Sequence, residues 1–413
     1  MKKTLTICFK EDSYNTMKSR SSAISTTSSA ISTTSSAIST TSSAVSTMSN
    51  IKSNSRDKML ELTPFFEQED NKSLLSTYNT MSEEEKKLYR LFKVQVDDND
   101  LERVEAELNE NPDIEFIEVH RHIEVHKPIE TKYKPNDPMF KHQYSLQKIE
   151  CEQAWKFSEG EGVTVAVIDT GVDYNHNDVY SNIWSNNGNY GYDFSKDNSN
   201  AYDENGHGSH VAGTIGAIAN NGIGIVGVSP KVKIMPIKIF PENGLDSIVR
   251  ALKCAVDNGA KVLNNSWGFT QPNPSSPTLE AAVDYVYSKG GICVFAAGNE
   301  GDDTRYYSPA NYSKTITVGA TDENDERPSF SNYGNEVNIY APGKNILSLQ
   351  TKTNSYEFKD GTSMAAPHVS GAIALYLSIN PQANFNEVKN ALIQSADRTQ
   401  KGLLRLNCNK LLN

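Results

Sequence analysis

Long apolar runs are missing from this chain of 413 residues. None approaches the roughly 20 consecutive residues that a membrane-spanning helix requires, so no such helix is expected. Cysteine is scarce. Cys8, Cys151, Cys254, Cys293 and Cys408 are odd in number, widely scattered and without a CxxC spacing. Such a set predicts neither a disulfide framework nor a zinc site, and Cys254 and Cys293, in apolar segments, read as buried thiols. A basic excess is lacking too. With 40 Lys and Arg against 51 Asp and Glu, the net charge of −11 argues against non-specific binding to nucleic acid or anionic membrane. An ordinary secretory leader is not expected either, because the apolar run Leu5 to Phe9 is interrupted by Thr6 and ends at Lys10-Glu11-Asp12. A cytoplasmic chain, or one exported by a non-classical route, is the expectation.

What is present is unevenly distributed. The heptapeptide Ser-Ser-Ala-Ile-Ser-Thr-Thr recurs three times from Ser21 and a fourth time, degraded, to Thr47. One Ile in seven residues cannot offset chain entropy, and a coiled coil would need two apolar seams per heptad. Residues 1–81 are therefore expected to be a disordered Ser/Thr-rich tract. Order is predicted from residue 82. Phe92, Val94 and Val96 share one face of a strand, Leu101, Val104 and Leu108 recur at helical spacing, and Ile114 to Val119 returns to strand. This small α+β unit, 82–126, is marginal on its own. A linker follows over 127–136, in a stretch from Lys127 to Pro138 that holds three prolines.

Residues 137–413 alternate apolar strands with helical stretches. Val163 to Ile168, Lys233 to Ile239, Lys261 to Asn265, Gly291 to Ala297 and Thr315 to Val318 are the strands; His207 to Ala219, Leu245 to Asn258 and Ser276 to Lys289 are helical. This pattern predicts an α/β fold of three layers with a mainly parallel sheet covered on both faces. In such sheets chemistry sits at the carboxyl ends of the strands. Three boundaries there carry an acid, an imidazole and a hydroxyl in glycine-framed turns: Asp169-Thr170-Gly171, Gly206-His207-Gly208-Ser209-His210, and Gly361-Thr362-Ser363-Met364-Ala365-Ala366-Pro367-His368. A serine hydroxyl becomes a nucleophile when a base removes its proton, and the base needs a carboxylate to hold its tautomer.

These three segments, in this order, resemble the signature segments of the subtilisin-like serine proteases (subtilases, peptidase family S8), in particular the thermitase branch. The resemblance covers roughly residues 135–413. It implies Ser363 as nucleophile, His207 as general base and acid, and Asp169 as the orienting carboxylate. Ala296-Ala297-Gly298-Asn299-Glu300-Gly301 resembles the family's oxyanion turn, which implies Asn299 and the Ser363 backbone N–H as the oxyanion donors. By the same resemblance, substrate would lie as a strand along Ser266, Trp267 and Gly268, with Ala297 and Gly298 nearby. The facing edge around Pro241 to Leu245 is shorter than in the family.

A structural Ca²⁺ is likewise implied, held by Asp137, Asp178, Asn221 and the carbonyls of Ile218, Ile223 and Ile225. A second calcium loop would fall at Asp193 to Tyr202, where the Lys196 cation opposes it. The unit at 82–126 resembles the family's inhibitor-type propeptide, which implies a zymogen that cleaves itself between His126 and Asn136 and a propeptide that acts as intramolecular inhibitor. Protein or peptide substrates and a monomeric state are expected. Two other readings fail on context. His207 and His210 have no HExxH arrangement for a metalloprotease. Gly222-Ile223-Gly224-Ile225-Val226-Gly227 fits GxGxxG but follows a helix and precedes a strand, the reverse of a dinucleotide site. His210 and His368 read as packing residues. A non-catalytic peptide-binding protein would have lost Ser363, His207 or Asn299, and all are present.

Overall fold

The computed structural model describes residues 2–15, 50–52, 59–64, 80–120, 123–125, 129–130, 138–241 and 244–413. The heptapeptide repeat lies outside the described residues. The chain divides into two compact units, residues 1–121 and 122–413.

The smaller unit is a five-stranded antiparallel sheet in the order β2-β3-β4-β1-β5. Its strands are β1 (Lys2–Phe9), β2 (Asn50–Lys52), β3 (Met59–Pro64), β4 (Leu91–Asp97) and β5 (Ile114–Val119). Two helices, α1 (Glu83–Tyr89) and α2 (Leu101–Asn109), complete it. Ser82 caps α1 by accepting the Glu85 N–H, the side-chain cap its sequence position favours. Leu5, Ile7 and Phe9 alternate into one core with Phe92, Val94 and Val96, closed by Val104 and Leu108 of α2. On the opposite face of β1, Thr6 Oγ1 lies 2.7 Å from His120 Nε2.

The first residues were expected to be disordered, and here they are corrected: Lys2–Phe9 is hydrogen-bonded on both sides, to β4 and to β5. Thr6, a fault in a secretory apolar run, is the polar alternate of a two-faced strand.

The larger unit opens with two short strands, β6 (Ile123–Val125) and β7 (Ile129–Glu130). Its central sheet runs β9 (Tyr192–Asp193), β10 (Lys233–Lys238), β8 (Thr164–Asp169), β11 (Val262–Asn265), β13 (Ile292–Ala296), β14 (Thr315–Thr321) and β15 (Ile339–Pro342) in space. All these pairs are parallel. Outside it lie β12 (Trp267–Phe269) and the hairpin of β16 (Ile346–Gln350) with β17 (Ser355–Asp360). The main helices are α3 (His207–Gly216), α4 (Leu245–Asp257), α5 (Pro277–Ser288), α6 (Thr362–Ile379) and α7 (Phe385–Ser395).

Buried parallel strands need helices on both faces, which accounts for their unbroken apolar runs. α3 is buried along its whole length and packs against α6. Small residues let both helices approach their other neighbours closely: a Cβ on Gly213 of α3 would stand 2.5 Å from Leu349 Cγ of β16, and one on Gly371 of α6 2.6 Å from Val228 Cβ in the loop after α3.

Two histidines are sealed in these helices. His210 Nε2 meets the Ile346 carbonyl at 3.0 Å, and His368 Nδ1 donates to the Met364 carbonyl at 2.8 Å. Burial disfavours both imidazolium forms, driving His210 well below its ordinary value and His368 down to about 4. Both are packing residues, as expected. The unfolded chain therefore binds more protons than the folded one below about pH 6.5, and stability is lost as pH falls from there toward 4. His368 alone should cost on the order of 3 kcal/mol across that window. Denaturant titrations at pH 7, 5 and 4 should show this loss, shallower in His368→Leu; equal pH slopes in the two chains would contradict it.

Candidate active site

Asp169 ends β8, an interior strand of the parallel sheet between β10 and β11, and is fully buried. Its Oδ1 accepts the Thr170 N–H at 2.7 Å and lies 2.8 Å from His207 Nδ1. With Nδ1–H donating to the carboxylate, the lone pair of the imidazole sits on Nε2. That Nε2 is buried and has no hydrogen-bond partner among the described residues.

His207 opens α3, and the local sequence explains how it reaches Asp169. Gly206 takes φ of 101°, a left-handed turn that glycine adopts at no steric cost. Gly208 leaves room for the strand end: a Cβ there would stand 2.1 Å from the Gly171 carbonyl oxygen. Asp203, buried in the preceding loop, accepts from the Gly206 and Ser209 N–H groups, from Ser209 Oγ and from Thr170 Oγ1, all at 2.7–2.9 Å. Thr170 Oγ1 in turn accepts the Gly208 N–H at 2.9 Å.

Ser363 opens α6, which packs against α3. Pro367, four residues on, has no N–H to give the Ser363 carbonyl. Ser266 supplies the replacement, donating Oγ–H to that carbonyl at 2.9 Å, while Ser363 Oγ donates to the Ser266 carbonyl at 3.1 Å. Behind them Asn264 Nδ2 donates to Ser266 Oγ at 3.0 Å, and Ser370 Oγ donates to Asn264 Oδ1 at 2.8 Å.

Asn299 follows β13, and its Oδ1 accepts both the N–H and the hydroxyl of Thr362, each at 2.9 Å. The loop around it is held by Asn332. Its Nδ2 donates to the Ala297 carbonyl at 2.9 Å and Glu300 Oε2 at 2.8 Å, and its Oδ1 accepts the Glu300 and Asp302 N–H groups. Gly298, at φ 107°, cannot carry a side chain here, since a Cβ would stand 2.3 Å from Asn332 Nδ2.

Sequence reasoning missed Asp203, Asn264, Asn332, Thr170 and Pro367. Asp203, Asn264 and Asn332 hold motif residues from outside the motifs, while Thr170 and Pro367 stand inside motifs but were given no role there.

β12 presents Trp267, Gly268 and Phe269 as an edge, occupied by β6 in antiparallel register: Ile123 opposite Phe269, Glu124 opposite Gly268, Val125 opposite Trp267. The Trp267 side chain itself turns into the core, donating Nε1–H to the Ile168 carbonyl at 2.9 Å and meeting Phe295 edge-on. Its contribution to this edge is backbone. β7 pairs antiparallel with β17, Ile129 opposite Asp360, three residues before Ser363.

The residues expected to hold a cation come together in part. Asp178 is buried; its Oδ1 accepts from Asn221 Nδ2 at 2.6 Å and its Oδ2 from the Ile225 N–H at 2.9 Å, while its carbonyl accepts the Ile218 N–H. Asn221 Oδ1 accepts the Ile223 N–H at 2.9 Å. Asp137 lies outside the described residues. Burial pushes the Asp178 carboxyl above its usual range, the environment in which a cation would restore the charged form. Among the described residues no three His, Cys, Asp or Glu side chains cluster for a metal, so the set is one carboxylate, one amide and carbonyl oxygens. All-oxygen donors of this kind fit Ca²⁺. In the other loop, Asp193 Oδ1 is taken by Ser195 and the Lys196 N–H, and Asp197 pairs with Arg250.

Comparison with known proteins agrees with this geometry. The Subtilase family profile matches residues 160–408. Thermitase of Thermoactinomyces vulgaris is 40% identical over 270 residues, 64% of this chain and 92% of that protein. A thermophilic serine proteinase of Bacillus sp. strain AK1 is 39% identical over 303 residues, 72% of this chain and 71% of the relative. Among solved structures, a protease from Pseudoalteromonas arctica superposes with a TM-score of 0.61 at 28% identity, covering 68% of this chain and 99% of its own. A cold-adapted subtilisin-like serine proteinase superposes at 0.55 with 33% identity, covering 61% and 90%. With three-fifths of its length matched by the family profile, the chain belongs to the subtilase family of serine endopeptidases.

Proposed function

We propose that Ser363, His207 and Asp169 carry out peptide-bond hydrolysis through an acyl-enzyme, and that the chain is made as a zymogen that cleaves itself. The observation that carries the first part is the 2.8 Å Asp169–His207 contact on a helix packed against the one that Ser363 opens. His207 Nε2 takes the Ser363 proton as Oγ attacks the scissile carbonyl, then returns it to the leaving amine. Asp169 holds Nδ1–H and stabilises the imidazolium. Water repeats the sequence to release the acid. The developing oxyanion is received by Asn299 and the Ser363 N–H. Because Asn299 commits its amide oxygen to Thr362, what it offers the cleft is N–H.

The register of β6 and β7 supports the zymogen reading. An extended segment added to an edge strand is how such clefts hold peptides. Val125 stands opposite Trp267, and Ile129 opposite Asp360, so the chain is paired on either side of the Ser363 segment. The bond cut would lie between Val125 and Ile129, at the N-terminal end of the interval from His126 to Asn136 that the sequence suggested. The substrate class is extended polypeptide.

Asp178, Asn221 and the carbonyls of Ile218, Ile223 and Ile225 would hold a Ca²⁺ that ties the loop after α3 to the loop after β8. It would stiffen the fold and take no part in the chemistry.

Three measurements test this reading. Intact mass followed over time should show the native chain losing its first 125–128 residues while Ser363→Ala stays whole. A cut elsewhere would contradict the register, and equal processing of both would assign it to another protease. Asn332→Ala should lower kcat about ten- to a hundredfold with KM nearly unchanged, less than the 10²–10³ seen when an oxyanion Asn is lost; a change confined to KM would remove Asn332 from the oxyanion loop's support. Millimolar Ca²⁺ should raise Tm by several degrees, and Asp178→Asn should abolish that rise. An undiminished rise in the variant would place the ion elsewhere.

A further inference from the structure

The five cysteines, unpromising by spacing, are not all apart in space. Cys151 and Cys408 are fully buried, and their sulfurs lie 3.9 Å apart across 257 positions of sequence. Cys151 begins the short helix Cys151–Ala154 near the start of the larger unit, and Cys408 begins the terminal helix Cys408–Leu412. The two helices are docked by other bonds as well. The Cys408 N–H donates to the Ile149 carbonyl at 2.8 Å, and Asn409 Nδ2 donates to Glu150 Oε2 at 3.1 Å. Cys8, Cys254 and Cys293 have no sulfur partner among the described residues. Among the described residues no third His, Cys, Asp or Glu clusters with the pair to hold a metal, which disfavours a metal site.

We propose that Cys151 and Cys408 are a disulfide site that staples the two ends of the catalytic unit when the chain folds in an oxidising thiol–disulfide buffer. The sulfurs need to approach by about 2 Å to reach bonding distance, a movement within reach of side-chain rotation. The reaction is a double exchange with a small-molecule disulfide such as oxidised glutathione. One cysteine thiolate attacks it, forms a mixed disulfide and expels one glutathione thiolate. The second cysteine, as thiolate, then displaces the other glutathione. Two protein thiols are oxidised, two equivalents of glutathione thiol are produced, and the two protons go to those products.

Neither sulfur is exposed, and burial raises the Cys151 thiol well above its ordinary value, so the docked pair is inert. Exchange must precede docking of Cys408–Leu412 or follow its transient release. The bond would close a loop of more than 250 residues, among the longest the chain allows, and constrain the unfolded state accordingly.

The test uses the full chain with Ser363→Ala, which limits self-digestion and does not enter the readout. The protein is refolded in a glutathione redox buffer, its free thiols are alkylated, and it is mapped by mass spectrometry without reduction. A peptide joining Cys151 to Cys408, lighter by two hydrogens, is expected, together with a Tm at least about 5 °C above that of the reduced protein. The Tm difference should vanish in Cys408→Ala and in Cys151→Ala but persist in Cys254→Ala. Full alkylation of both residues, bonds to other cysteines, or a 151–408 bond that fails to raise Tm would each overturn the proposal.

Discussion

A single buried carboxylate, Asp203, ties the end of β8 to the start of α3, and the meeting of Asp169 with His207 hangs on that join. It lies at the N-terminus of a helix whose first N–H groups have no partner within the helix, and it accepts two of them. Thr170 bridges it to the strand end. Burying a charge costs several kcal/mol, and donors on every side are what offset it. The return is positional. Asp169 and His207, 38 residues apart in sequence, meet at hydrogen-bonding distance because the helix start gives backbone N–H groups, and the strand end the Thr170 hydroxyl, to the same carboxylate.

A second join works the same way on Ser363, the proposed nucleophile. Pro367 deprives the Ser363 carbonyl of its helical donor, and the Ser266 hydroxyl replaces it. Ser266 also immediately precedes β12, the edge along which β6 lies. The strand that would align a peptide and the helix that would attack it are thus bonded directly to each other. Displacing β12 would move the nucleophile's support as well as the peptide. Coupling of this sort favours correct alignment, for which small misplacements carry large losses in rate.

The parts of this arrangement that were legible in the sequence are those where chemistry and backbone demand coincide. Asp169, His207 and Ser363 sit in glycine-framed turns because the backbone there must pass close to its neighbours, and that constraint is written in adjacent residues. Asp203 and Asn332 could not be found so. They act across space from irregular loops, and a carboxylate or an amide in a polar loop has no spacing that distinguishes it. Trp267 shows the converse. Its place on an edge, here paired with β6, was implied by the resemblance, but the direction of its side chain, into the core toward the Ile168 carbonyl, depends on sheet geometry that only the fold supplies. Cys151 and Cys408 belong with Asp203: their proximity is created by the docking of the larger unit's two ends.

The small unit turns on the same contrast between local pattern and distant pairing. β1 is an interior strand of its sheet, between β4 and β5, yet it lies some forty residues from the next described strand, and the repeat occupies much of that interval. For an unconstrained connection, closure entropy rises only with the logarithm of length, so extending one from about ten residues to about thirty-five costs roughly 1 kcal/mol. A sheet whose strands are pinned by Leu5, Ile7 and Phe9 against β4 can carry that. In a unit this small, however, 1 kcal/mol is a sizeable share of the total stability. The apolar alternation of Lys2–Phe9 is therefore what makes the repeat tolerable. Weakening that strand should matter more here than in a relative whose first two strands are joined by a short turn.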